Sequence, residues 1–163
     1  MHVIYIIPMM TTSNIFSGNI EKMTIENKNY RKVLFTSGNQ QLVLMSLKPN
    51  EYIGMEKHDN TDQFFRIEKG NGIAQIGKNV DELSQVALED GSVLVIPAGT
   101  WHNIINTSPD EDMKLYTLYS PPQHADKLVQ EKKPTQDGGN TNDMYRNKYL
   151  KYKGKYIRLK KKS

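Results

Sequence analysis

From Gln41 onward the apolar residues come in short runs, over about 42–48, 52–58, 63–69, 72–77, 84–88, 92–96, 101–107 and 112–119. Turn residues separate them: Pro49-Asn50, Asp59-Asn60-Thr61, Gly70-Asn71-Gly72, Gly77-Lys78-Asn79, Glu89-Asp90-Gly91, Pro97-Ala98-Gly99 and Ser108-Pro109-Asp110. Val93 to Ile96 are β-branched and aliphatic, which suits a strand buried on both faces. Pro97 and Gly99 supply one fixed and one permissive backbone torsion, as a tight turn needs. Short strands at even spacing, with turn chemistry between them, predict an all-β sandwich or barrel. No helical periodicity is sustained before residue 120. Residues 20–32 mix charge with single apolar positions and are expected to pack across a barrel edge.

Side chains two apart on a strand share a face. Glu56 and His58 therefore project together. Gln63 opens the next strand, with Phe65 and Ile67 below it on the same face. His102 begins a third strand, sharing its side with Ile104 and Asn106. If these strands meet around one interior, four donors converge: Glu56 Oε, a His58 nitrogen, Gln63 Oε and a His102 nitrogen. Two imidazoles, a carboxylate and an amide oxygen suit one divalent metal ion: Fe(II), Mn(II), Ni(II) or Zn(II). A neutral Gln in the set leaves more of the metal's positive charge uncompensated than a Glu would.

The run Gly91 to Asn106 resembles the second signature motif of the cupin superfamily, G-x5-P-x-G-x2-H-x3-N, and matches it at every fixed position through Gly91, Pro97, Gly99, His102 and Asn106. The run Asn50 to Gly70 resembles the first motif, G-x5-H-x-H-x4-E-x6-G, in part. His58 stands at its second histidine and Gly70 at its final glycine. Glu56 replaces the first histidine, Gln63 the glutamate, and Asn50 the opening glycine, a mild change because Asn tolerates left-handed backbone. The resemblance covers about residues 40–120. It implies a single cupin barrel, a double-stranded β-helix or jelly roll, with Glu56, His58, Gln63 and His102 around a metal. Small cupins of this kind commonly pair as homodimers, and an exposed apolar face such as the one bearing Phe64 fits that. Short cupins with this look are often described as mannose-6-phosphate isomerase-like, although no Gly-rich loop at a helix start offers a phosphate cradle.

Composition divides the chain. Of the 22 Lys and Arg, nine fall in residues 145–163 with no acid among them. That leaves 13 against all 18 Asp and Glu over residues 1–144, so an acidic domain is joined to a basic tail. The expected organisation is a flexible leader over 1–19, the barrel over 20–124, a linker over 125–144 and a Lys/Tyr-rich tail over 145–163. The tail resembles, in composition, the C-terminal segments of many giant-virus proteins. It is either a solvated extension or a contact for nucleic acid or another acidic partner, since Lys meets phosphates and Tyr stacks on bases. The apolar opening Met1 to Met10 is too short to span a bilayer and lacks the features of a secretory signal; it is expected to be either a poorly ordered leader or codons upstream of a start at Met9 or Met10. There are no cysteines, which excludes disulfides and thiolate chemistry and fits an intracellular, cytoplasmic protein (the host cytoplasm or the virion for a viral one).

Two classes of function follow. The first is a metal-dependent enzyme on a small polar molecule such as a sugar or sugar phosphate, isomerase-like, or an Fe(II) dioxygenase if the metal is iron. His124, just beyond Pro121-Pro122, would fold over the barrel mouth as an acid, base or substrate contact. The second is a non-catalytic binding or dimerisation module whose tail engages an acidic partner. Trp101 is expected on the face opposite His102, and Arg66 and Glu68 on the face opposite Gln63. Tyr116 and Tyr119 are not assigned to a face.

Overall fold

A computed structural model describes residues 15–134. The expectations placed on residues 1–14, on the later linker and on the basic tail lie outside the described residues. A short helix α1 (Ile20–Glu26) precedes β1 (Arg31–Thr36), β2 (Gln41–Leu47), β3 (Asp62–Lys69), β4 (Gly72–Asn79), β5 (Glu82–Leu88), β6 (Val93–Ile96), β7 (Trp101–Asn106), β8 (Met113–Ser120) and β9 (Val129–Gln130). Asn19 caps α1, its Oδ1 accepting from Lys22 N at 3.0 Å. Among the described residues no helix is long and apolar enough to cross a membrane.

The strands form two antiparallel sheets, ordered β6-β3-β8-β2-β1-β9 and β5-β4-β7. Register sets which side chains meet inside. Gln41, Tyr119, Gln63 and Ile96 form one row across the larger sheet. Val43, Thr117, Phe65 and Leu94 form the next, and Met45, Leu115 and Ile67 the third. The apolar members pack with Ala74, Leu88 and Ile104 of the smaller sheet into one core. Full burial of each large aliphatic or aromatic side chain contributes about 1.5–3 kcal/mol. The layers also approach closely at the β4 start. A Cβ on Gly72 would lie 2.1 Å from Ile105 O, so only glycine fits there.

The all-β jelly-roll expectation is met, and four local expectations need correction: β6, expected to be buried on both faces, leaves Val93 and Val95 exposed on its outer side. Residues 52–58 are not a regular strand: they touch β7 only through bridges at Tyr52↔Ile105 and Glu56↔His102. Gly54 causes the break. It sits at φ +119° and donates its N–H to the Asn103 side chain at 2.9 Å instead of to a ladder. Residues 20–32, expected as edge packing, contain α1 and the start of β1. The segment expected as linker from residue 125 first adds Val129–Gln130 to the sheet edge beside Arg31 and Lys32.

Candidate metal centre

The β6–β7 turn positions both histidines. Gly99, at φ +79°, donates its N–H to His58 O at 2.8 Å, and Ala98 N donates to Asp62 Oδ1 at 2.9 Å. His102 Nδ1 lies 2.9 Å from Thr100 O. That carbonyl only accepts, so with a metal at Nε2 the ring proton would sit on Nδ1. Glu56 sits directly across from His102, the two exchanging backbone hydrogen bonds of 2.9 Å in each direction. His58, two residues on, projects to the same interior. Asn50 opens this segment at φ +61°, in the left-handed conformation its motif position requires.

Glu56, His58 and His102 form a group able to hold a metal ion, their ligand atoms all within 4.8 Å of one another. Glu56 Oε1 lies 3.3 Å from His102 Nε2 and 3.6 Å from His58 Nε2. Burial would raise the Glu56 carboxyl. The two imidazoles facing its oxygens outweigh that and hold it down at about 2, so it is a carboxylate. Gln63 is fully buried beneath the group. Its Oε1 lies 2.9 Å from His102 Nε2, and its Nε2 donates to Thr117 Oγ1 at 3.2 Å. Thus an imidazole nitrogen, an amide oxygen and a carboxylate oxygen all converge on one point. The chemistry of this donor set fits a cation. Glu56 Oε1 and His58 Nε2 are in addition buried without hydrogen-bond partners.

His124 lies over the same chamber. Its backbone is clamped by the Gln41 side chain, which accepts from His124 N at 2.9 Å and donates to His124 O at 2.8 Å. Its ring meets Tyr119 edge-on at 5.0 Å, and Tyr119 in turn meets His58 at 5.7 Å. Burial first, and then the Arg31 charge, lower His124 to about 4, so its ring is neutral near pH 7. His124 Nε2 and Tyr119 Oη are both buried without partners. Burial and the Glu56 charge push the Tyr119 hydroxyl up, which keeps it a donor.

Sequence reasoning left Tyr119 unassigned and did not single out Arg31. The signal for Tyr119 is parity: it alternates inward with Thr117 and Leu115, whereas Tyr116 faces out beside Phe64. Trp101 is half-buried on the outer face, with Lys57 Nζ 5.6 Å from its ring centroid. Arg66 is partly exposed on the outer face, but Glu68 beside it is nearly covered.

A family model described as Cupin domain matches residues 43–119. The chain is 46% identical over 154 residues to an uncharacterized protein of Acanthamoeba polyphaga mimivirus, covering 93% of this chain and 95% of that protein. It is 47% identical over 119 residues to the uncharacterized protein YrkC of Bacillus subtilis, covering 72% of this chain and 63% of YrkC. The crystal structure of a Bacillus halodurans protein superposes with a TM-score of 0.71 at 41% identity, covering 74% of this chain and 92% of that one. The chain belongs to the cupin family.

Proposed function

We propose that this cupin is a metal-dependent enzyme that moves a proton on a small polar substrate, in the manner of an isomerase. The observation that carries this is the convergence of His102 Nε2, Glu56 Oε1 and Gln63 Oε1, with His58 Nε2 beside them. Glu56, His58 and His102 would hold one divalent ion, with the Gln63 amide oxygen as a weak neutral donor. Such an ion supplies Lewis acidity toward a substrate oxygen.

The chain's own residues do the rest. The Glu56 carboxylate balances part of the positive charge. Thr100 O fixes the His102 tautomer, and Thr117 steadies the Gln63 amide. Phe65 and Ile67 line the floor below Gln63 and exclude water. His124, neutral and with a free Nε2, takes or returns the proton, while the Tyr119 hydroxyl donates to a substrate oxygen.

Elemental mass spectrometry on protein purified without an affinity tag tests this against His58→Ala and His102→Ala. Near-stoichiometric metal in the wild type that is lost in both variants is expected. Wild-type protein that neither carries metal nor takes it up on titration sinks the proposal. The metal's identity then selects the assay: iron directs attention to oxygen consumption, zinc or manganese to isomerisation.

A further inference from the structure

Arg31 enters the barrel. It stands opposite Met45 in the β1–β2 register, and Met45 is fully buried in the core, so the Arg31 side chain points inward. An inward guanidinium is costly unless its donors are met. One side-chain bond is present: Nη1 donates to Gln130 Oε1 at 2.9 Å, a neutral partner. The Cζ atom lies 5.3 Å from the Tyr30 ring centroid. Arg31 Nε is buried without a hydrogen-bond partner.

That orphan nitrogen belongs to a larger pattern. Glu56 Oε1, His58 Nε2, Tyr119 Oη, His124 Nε2 and Arg31 Nε are all buried without partners, and Tyr119 is completely enclosed. The Arg31 guanidinium lies over the Tyr30 ring, whose hydroxyl donates to Ile53 O three residues before Glu56, and Arg31 and Glu56 both act electrostatically on Tyr119 and His124. A metal accounts for the Glu56 and His58 atoms. It leaves Arg31 Nε, Tyr119 Oη and His124 Nε2 unmet, and two of these are obligate donors or held as donors.

Charge gives the class of molecule. Glu56 is the carboxylate of the metal group, and Gln63 is neutral where a second carboxylate would have stood. A divalent ion together with Arg31 therefore leaves the chamber positive. Lys133 adds to this at the edge: its Nζ donates to Tyr52 O at 2.8 Å and lies over the Tyr52 ring. Tyr52 is next to Ile53, whose carbonyl accepts from Tyr30 Oη. A planar guanidinium holds a carboxylate or a phosphate through two parallel hydrogen bonds, and the carboxylate is the smaller of the two.

We propose that Arg31 is the carboxylate-recognising residue of the chamber, so that the molecule held beside Glu56, His58 and His102 is a small carboxylate. It rests on the metal-site reading for the position of the second end of the ligand, but the Arg31 contact is separable from it.

Calorimetric titration of the full chain, metal-free and Mn(II)-loaded, with acetate, malonate, malonamide and inorganic phosphate tests this. Malonate is expected to bind, and malonamide is not. Arg31→Gln should weaken malonate by about tenfold or more, as expected for loss of a charge-assisted bond. Arg31→Lys, which keeps the charge and loses the fork, should also weaken it and guards against a folding failure in the first variant.

Equal malonate affinity in wild type and Arg31→Gln overturns the proposal. So does malonamide binding as tightly as malonate, binding of phosphate alone, or no binding of any anion by the wild type. Arg31-dependent malonate binding with no metal uptake sinks the metal reading and leaves this one standing. Metal uptake with malonate binding indifferent to Arg31 does the reverse.

Discussion

Replacing Thr117 with valine keeps the side chain's volume and removes one hydroxyl. Thr117 is fully buried, as is Gln63, whose Nε2 donates to Thr117 Oγ1 at 3.2 Å. Val43 and Phe65 flank Thr117 in its row, so a valine methyl meets apolar neighbours and leaves no cavity. The effect is therefore that of one buried amide left without its partner, about 1–3 kcal/mol. For a chain of this size that lowers the melting temperature by about 2–4 °C per kcal/mol, or about 2–12 °C in all. Thr117 also orients the amide. Without it, Gln63 is free to turn its NH2 group toward His102 Nε2, a donor placed on the position a metal needs. Metal affinity should fall by about tenfold or more, as for loss of a group that steadies a ligand.

The assays are thermal melting of the metal-free protein and a metal titration of the same sample. A double-mutant cycle with Gln63→Leu isolates the pair. Replacing both partners by apolar groups leaves neither of them orphaned, and the loss at His102 Nε2 is common to Gln63→Leu and the double variant, so the double variant should be more stable than the sum of the singles by about 0.5–3 kcal/mol. An unchanged melting temperature in Thr117→Val refutes the buried hydrogen bond, and an unchanged metal affinity refutes the positioning of Gln63.

Gly72→Ala should cost about 1–3 kcal/mol or more, because the new Cβ would lie 2.1 Å from Ile105 O and 2.3 Å from Met113 Cε; an unchanged urea midpoint would contradict that close approach. Burial raises the Asp112 carboxyl, but hydrogen bonds from Lys48 and Lys114 outweigh it and hold it below the usual range. A depressed folded pKa stabilises above the ordinary Asp value, and that contribution is lost as pH falls through the lowered one. Asp112→Asn should therefore flatten the acid limb of melting temperature against pH, and a parallel limb would count against the network. We expect a second copy of the chain on the outer face of the larger sheet. There Val95 is 67% exposed and aligns in register with Phe64, Leu118 and Leu42. Light scattering should show a dimer that Val95→Lys dissociates, and a wild-type monomer would end the idea.

How much of this was legible follows from where each residue's partners lie. β3, β4, β7 and β8 alternate or run apolar between clear turns, so local pattern suffices. The grouping of Glu56, His58, Gln63 and His102 needed more: parity gives each side chain its face, but that the three strands meet around one interior came from the resemblance to the cupin motifs. Residues 52–58 have the composition of a strand, but Gly54 diverts the N–H that would have joined the ladder to the Asn103 side chain, a contact 49 residues away. β9 has two residues in a polar stretch and no period to detect.

The harder cases are those in which a polar residue faces the interior. Arg31 occupies an inward position where an apolar residue would have announced β1, so the strand's alternation is broken by the very residue that gives the chamber its charge. His124 follows two prolines, where periodicity ends, and is held by Gln41, 83 residues earlier. Tyr116 and Tyr119 are three apart and so face opposite sides; only the pairing of Tyr119 with Gln63 shows which one is inside. A local hydrophobic pattern reports burial that folding favours, and a binding chamber is built from burial that folding opposes until a ligand completes it. The polar residues that break the pattern, Arg31 and His124 among them, are for that reason the ones whose substitution should alter binding more than stability.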